Sequence, residues 1–233
     1  MKVVVVLPAY NCAKTLKMTI TEIPEEFSGD IVLVDDCSSD ETLEVAKECH
    51  IKHIIKHNKN LGYGANQKTC YDKALELKAD IVIMLHPDYQ YSPKLLPQIV
   101  KRIVEGADIV LASRMMNGAE AIKKGMPIYK YISNRMLTIF QNFCFRKHLS
   151  EYHTGYRGYR KDVLLSIKYQ NLSNDFIFDN QIIIEAFSKG FDIQEIYCPA
   201  RYDDLSSSIR FFRSVKYGCQ VIYYTIKQLL LRR

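Results

Sequence analysis

Val3-Val4-Val5-Val6-Leu7-Pro8-Ala9-Tyr10-Asn11 and Ile31-Val32-Leu33-Val34-Asp35-Asp36-Cys37-Ser38-Ser39-Asp40 decide the fold. Each begins as a short β-branched apolar run, the pattern of a strand buried on both faces of a parallel sheet. Each then turns polar, and open α/β sheets bind ligands beyond the carboxyl ends of their strands. One rim therefore gathers an aromatic ring, an amide and two adjacent carboxylates, a set that suits a nucleotide.

Working outward, the alternation continues. Residues 14–23, 40–48, 63–78 and 93–105 read as helices, and 51–56, 80–85 and 107–113 as strands. Ser39 or Asp40 caps the second helix, whose positive end Asp40 and Glu41 favour. Ser92-Pro93 opens the fourth. This βαβα order predicts an α/β fold with a mostly parallel, doubly wound sheet. The later half predicts a helix over 128–145, a short strand or loop at 154–159, a helix over 176–189 stopped by Gly190, a strand over 191–197 and a long amphipathic helix over 208–231.

The 233 residues suit one domain over 1–200 with a basic amphipathic appendage over 201–233. A hydrophobic share of 48% supplies a large core and excludes disorder. Seven scattered cysteines without CxxC spacing argue against a disulfide framework or zinc site and for a reducing cytoplasm. No leader and no membrane-spanning run is visible. Residues 201–233 carry seven basic and two acidic residues, so five of the six net positive charges lie there. A cationic tail on a near-neutral domain disfavours nucleic acid and favours a membrane surface or a phosphate.

Several motifs carry chemistry. Asp35-Asp36 repel each other unless hydroxyls, backbone N–H groups or a metal satisfy them. His86-Pro87-Asp88-Tyr89-Gln90 follows another buried strand, and a carboxylate there can hold a divalent cation on two phosphates. Asn60-Leu61-Gly62-Tyr63-Gly64-Ala65-Asn66 brings glycines to a helix entry, where backbone can approach closely and an anion is favoured. His153-Thr154-Gly155-Tyr156-Arg157 offers a guanidinium able to grip a phosphate bidentately. Asp175 and Asp179 flank an apolar triplet at a helix start, where a carboxylate can take a proton or complement the dipole. In the last helix, Phe212, Val215, Cys219, Ile222, Ile226 and Leu229 share one face and Arg210, Arg213, Gln220 and Lys227 another. That suits a membrane interface with Tyr217, Tyr223 and Tyr224 near headgroups, packing on the domain, or a homodimer. Residues 128–145, with Lys130, Arg135, Arg146 and Lys147 around Phe140, Phe143 and Phe145, form a second such surface.

Taken together, "VVLPAYN", "IVLVDDCSSDET", "NLGYGANQ", "HTGYRGYRKDVL" and "FDNQIIIEAFSKGFDIQEI" resemble glycosyltransferase family 2, of GT-A fold, in its dolichol- and polyprenyl-phosphate sugar synthase branch. The resemblance spans roughly residues 2–200. It implies inverting, Mg²⁺- or Mn²⁺-dependent transfer of a hexose from a UDP- or GDP-sugar to a polyprenyl phosphate, by a peripheral protein on the cytoplasmic membrane face. It maps base and ribose contacts onto Pro8, Ala9, Tyr10, Asn11, Asp35 and Asp36, and sets Asn60, Gly62 and Asn66 beside the nucleotide. Metal and diphosphate contacts fall on Asp88 and Gln90. Arg157 faces the diphosphate or acceptor, Asp179 is the base for a hydroxyl acceptor, and Arg201 with Ser206–Ser208 face the diphosphate. The family's metal motif reads Asp-x-Asp, whereas this chain has His86 first. Imidazole ligates Mn²⁺ but suits Mg²⁺ poorly, or it can hydrogen-bond a phosphate instead. The alternatives are transfer to a glycan or lipid-linked hydroxyl, and a non-catalytic sugar-nucleotide-binding protein. A nucleotidyltransferase would carry a Gly-rich basic loop, which residues 7–13 lack.

Overall fold

The computed structural model describes residues 1–199, 201–202 and 211–231, apart from the Phe211 side chain. The Ser206–Ser208 and Arg210 expectations, and residues 208–210 of the last helix, lie outside them. Seven strands form one sheet: β1 (Val3–Ala9), β2 (Asp30–Asp35), β3 (His53–Lys56), β4 (Ile81–Met84), β5 (Ile109–Ser113), β6 (Arg157–Arg160) and β7 (Ile193–Tyr197). Their order is β3-β2-β1-β4-β6-β5-β7. All neighbours pair parallel except β6, which runs antiparallel to both β4 and β5.

The apolar runs do what a two-faced strand requires. Val4 and Val6 of β1, Val32 and Val34 of β2, and Val82 and Met84 of β4 enter one core. Val5, Leu7, Leu33, Ile81 and Ile83 enter the other. The first core is covered by α3 (Tyr63–Glu76), α7 (Lys161–Ser166) and α8 (Phe178–Ser188). The second is covered by α1 (Ala13–Thr21), α2 (Thr42–Glu48) and α4 (Leu96–Val104). The sheet is thus doubly wound. After β3 the chain returns past β1 to add β4 on its far side, which makes the β1–β4 edge a topological switch point. Three non-glycine residues in loops beyond strand ends on this rim take left-handed backbone: Asn11 at φ 50°, Cys37 at 64° and Tyr89 at 60°. Such conformations cost of order 1–3 kcal/mol and concentrate at functional sites.

Three more helices finish the molecule: α5 (Glu120–Lys123), α6 (Ile128–Phe145) and α9 (Phe211–Leu231). A buried polar knot stitches α6, α8 and α9 together, in which Gln141 Nε2 donates to Asn180 Oδ1 and to Thr225 Oγ1, both at 3.1 Å. The inward line of α9 runs through Gly218, Val221 and Thr225, so its apolar face, Phe212, Val215, Cys219, Ile222 and Ile226, points outward. α6 does the same with Ile128, Ile132, Met136, Ile139 and Phe143. Phe143 and Phe212, the most exposed of them at 85% and 86%, sit in contiguous apolar stripes of the kind that mark interaction surfaces. Tyr217 departs from the headgroup position read for it, because it turns inward and bonds His153 Nδ1 at 2.8 Å. No helix among the described residues is long and apolar enough to cross a membrane.

Candidate active site

The β1–β2 side of the rim is tied down by its own polar groups. Asn11 donates its backbone N–H to Ser38 Oγ and accepts from the Ser39 N–H, both at 2.8 Å. Asp35 accepts from the Ser38 N–H at 3.1 Å and from the Ser38 hydroxyl in a shorter contact. Asp36 is 3% exposed, with His57 Nδ1 at 2.7 Å, the Leu61 N–H at 2.8 Å and the Gly62 N–H at 2.9 Å. Asn66 is buried and donates to the Ala9 and Val34 carbonyls, pinning two strand ends together. Both carboxylates and Asn66 therefore fix the shape of the rim. Tyr10 stands open upon it, and Asn60 bonds the Asp36 carbonyl at 3.3 Å.

The glycines of the α3 entry allow a close approach, but to the protein's own backbone. Gly62 has φ 98°, and a Cβ there would lie 2.8 Å from the Asn174 carbonyl oxygen. One at Gly64 would lie 2.5 Å from that of Ser173. The Gly64 N–H already donates to the Asn174 carbonyl at 2.8 Å. The phosphate-cradle reading of this turn gives way to a packing one.

The β4–β6–β5 side opens instead into a cavity of about 610 Å³, a size suited to a small-molecule substrate. His86, Asp88 and Gln90 line one wall. Their loop is anchored by the Thr15 hydroxyl, which donates to the Pro87 carbonyl at 2.6 Å. Tyr63 donates its hydroxyl to Asp179 Oδ2 at 2.6 Å, and His86 Nε2 lies 2.9 Å from the same hydroxyl. The Tyr63 and His86 rings stack at 5.4 Å. Gly155 is needed beneath them, since a Cβ there would meet His86 Cδ2 at 2.6 Å and Nε2 at 2.8 Å. Burial lowers the His86 pKa, against the pull of Asp88 and Asp179. Burial also brings His153, on the same cavity, down to about 3.

The lining also carries cations. Arg114 follows β5 and is held by Glu151, which accepts from the Arg114 backbone N–H at 2.8 Å and from Nε at 3.1 Å, with a still shorter contact to Nη2. Asn134 Nδ2 donates to the same carboxylate at 2.8 Å. Burial would raise the Glu151 pKa, but Arg114 outweighs it and holds the group below its ordinary value. Lys130 shares this lining, and burial followed by the like charge of Arg114 lowers its pKa. α9 adds Arg213 and Tyr217.

Two expected contacts move. Arg157 is 0% exposed and does not line the cavity. Its Nε donates to the Thr154 carbonyl at 2.7 Å, Nη1 to that of Asp179 at 2.6 Å and Nη2 to that of Tyr152 at 3.1 Å. A guanidinium bonded to three carbonyls is an internal brace, and Arg114 and Arg213 are the arginines that line the cavity. Arg201 lies over the Tyr89 ring at 4.2 Å and pairs with Glu22 at 3.3 Å, outside the cavity. Arg114, Glu151, Lys130 and Tyr63 were missed by sequence reasoning. Arg114 carried the signal used elsewhere, a polar residue immediately after a buried strand.

Among the described residues no group of three or more His, Cys, Asp or Glu side chains forms a metal cage. One carboxylate, one carboxamide and one imidazole on a shared wall do fit a cation whose remaining ligands are diphosphate oxygens.

The family model for glycosyl transferase family 2 matches residues 4–167. The chain belongs to glycosyltransferase family 2. Its relatives include an uncharacterized protein of Methanocaldococcus jannaschii, 30% identical over 89% of this chain and 84% of that one. Another is the UDP-N-acetylglucosamine–dolichyl-phosphate N-acetylglucosaminyltransferase of Methanococcus voltae, 25% identical over 86% of each chain. The fold is GT-A, shared with the crystal structure of Mycobacterium tuberculosis glucosyl-3-phosphoglycerate synthase in complex with UDP. That likeness has a TM-score of 0.72 at 15% identity, and covers 98% of this chain and 80% of that one.

Proposed function

We propose that this chain is an inverting glycosyltransferase moving a hexose from a UDP- or GDP-sugar to a polyprenyl phosphate, as a peripheral protein on the cytoplasmic membrane face. The observation that carries this reading is one cavity, lined by the cations Arg114, Lys130 and Arg213, opening beside two helices that turn apolar stripes outward. An anionic headgroup suits those cations, and a polyprenyl tail suits those stripes. The positive surplus of residues 201–233 adds attraction to anionic lipid. Methanococcus voltae supplies the relative whose name joins a UDP-sugar to dolichyl phosphate.

In this reading Tyr10 and Asn11 border the nucleotide, and Asp88, Gln90 and His86 would hold Mg²⁺ or Mn²⁺. The bound cation would neutralise charge developing on the leaving diphosphate. Arg114 and Lys130 receive the acceptor phosphate and aim one of its oxygens at the anomeric carbon. That oxygen is anionic near neutral pH, so no base is required, and in-line attack inverts the centre. Glu151 keeps Arg114 fixed and ready, so little reorganisation accompanies the reaction. Residues 1–200 would carry most of the chemistry, with α9 lending Arg213 and Tyr217 to the cavity and its outward face to the membrane.

A second reading, transfer to a glycan or lipid-linked hydroxyl with Asp179 as base, is favoured by Asp179 Oδ1, which is buried and has no hydrogen-bond partner among the described residues. The test is incubation with UDP- and GDP-sugars, Mg²⁺ or Mn²⁺, and either a short-chain polyprenyl phosphate or the matching polyprenol. Transfer to the phosphate alone is expected. Transfer to the alcohol moves the assignment to Asp179, and donor binding without turnover leaves a binding protein. Flotation with anionic liposomes tests the surface. Wild type floats, and Phe143→Glu with Phe212→Glu does not. A dimer in lipid-free solution that these substitutions dissociate, with no flotation of wild type, would replace membrane with homodimer.

A further inference from the structure

With the Asp179 carboxylate as acceptor, counting protons gives the chain of Tyr63, His86 and Asp179 a direction. A tyrosine hydroxyl has one proton. Tyr63 donates it to Asp179 Oδ2 at 2.6 Å. Toward His86 Nε2, at 2.9 Å, the same oxygen can then only accept. His86 must carry its proton on Nε2, and a neutral ring so protonated has a bare lone pair on Nδ1. Such a ring has no proton to offer a phosphate oxygen from Nδ1, which removes the alternative in which neutral His86 bonds the diphosphate through that atom. It can bind a cation. Metal-ligating histidines commonly donate their second ring N–H to a carboxylate or carbonyl, which selects the tautomer and orients the ring. Here the carboxylate acts through an interposed tyrosine. Stacking by Tyr63 and the absence of a side chain at Gly155 hold the ring flat in its slot.

We infer that Tyr63 is a positioning residue that, backed by Asp179, fixes His86 in its Nε2–H tautomer so that Nδ1 joins Asp88 and Gln90 as a ligand for the donor-bound divalent cation. The inference rests on the glycosyltransferase reading for the donor and goes beyond it in naming the group that orients the imidazole. Because imidazole favours Mn²⁺ over Mg²⁺, it also predicts a Mn²⁺ preference built into this chain.

Tyr63→Phe removes the hydroxyl and keeps the stacked ring. In cation-free, ¹⁵N-histidine-labelled protein, two-bond ¹H–¹⁵N spectra report the tautomer, with His86 assigned by its loss in His86→Gln. Wild type is expected to show protonated Nε2 and bare Nδ1, and Tyr63→Phe a mixture. Mn²⁺ binding in the presence of UDP or GDP, read by electron paramagnetic resonance, should weaken by about 10-fold or more in Tyr63→Phe. His86→Asp should bind Mg²⁺ more tightly than wild type and lose its sensitivity to Tyr63→Phe. A proton on Nδ1 in wild type, or Mn²⁺ affinity unchanged in a folded Tyr63→Phe, overturns the inference. Failure of wild type to bind either nucleotide defeats the functional reading instead, while the tautomer measurement still decides this one.

Discussion

Two carboxylate sets stand on the same rim and are treated in opposite ways. Asp35 and Asp36 are buried and engaged by serine, histidine and backbone donors. Asp88 and Asp179 line a cavity, where Asp88 accepts from the Gln90 N–H at 3.1 Å and, among the described residues, Asp179 Oδ1 has no hydrogen-bond partner. Both sets gather at the mouth of the same sheet, and Asp35-Asp36 and Asp88 follow buried strands in the same way. The difference teaches that a polar strand end marks a place where charge is tolerated, while neighbouring loops decide whether it is enclosed by donors or turned toward a cavity. The arginines divide likewise, Arg157 to architecture and Arg114 to the cavity.

This division can be broken by substitution. Arg157→Leu removes three buried hydrogen bonds to carbonyls and should cost at least about 3 kcal/mol of unfolding free energy in urea titration. A stable but inactive variant would return Arg157 to the ligand set. Asp88→Ala should do the reverse, holding its melting temperature while losing transfer by more than about 100-fold, beyond the usual loss from an outer-shell group. Wild-type turnover would remove Asp88 from the cation site. Asp36→Ala strips the partner from His57 and two backbone N–H groups and should cost about 2 kcal/mol, measured the same way. Unchanged stability with abolished nucleotide binding would make Asp36 a contact residue. The smallest effect is in acid. The folded-state pKa of Glu151 lies below its ordinary 4.5, so its stabilisation is present above 4.5 and lost as pH falls through the folded value. Glu151→Gln should flatten that part of the stability–pH curve, and an unaltered slope would deny the coupling to Arg114.

Much of the fold could be read from the sequence because strands β1, β2, β4 and β5 are apolar runs whose alternate residues reach two cores. β6 could not. Arg157-Gly158-Tyr159-Arg160 has no apolar run, and its antiparallel place between β4 and β5 is set by partners remote in the chain. The loop after β4 was legible as a site for the same reason as Asp35-Asp36, its position after a buried strand. The inward turn of Arg157 was not, since carbonyls from residues 152, 154 and 179 converge only in three dimensions. The direction of α9 was also hidden. Its inward line is held by Thr225 bonding to Gln141, a contact no periodicity encodes.

The outward stripes of α6 and α9 have a practical consequence. Ile128, Ile132, Met136, Ile139 and Phe143 of α6, and Phe212, Val215, Ile222 and Ile226 of α9, face outward. Concentrated stocks should therefore cluster through that face and clarify with mild detergent, so yield and monodispersity during purification will track the surfactant more closely than the buffer.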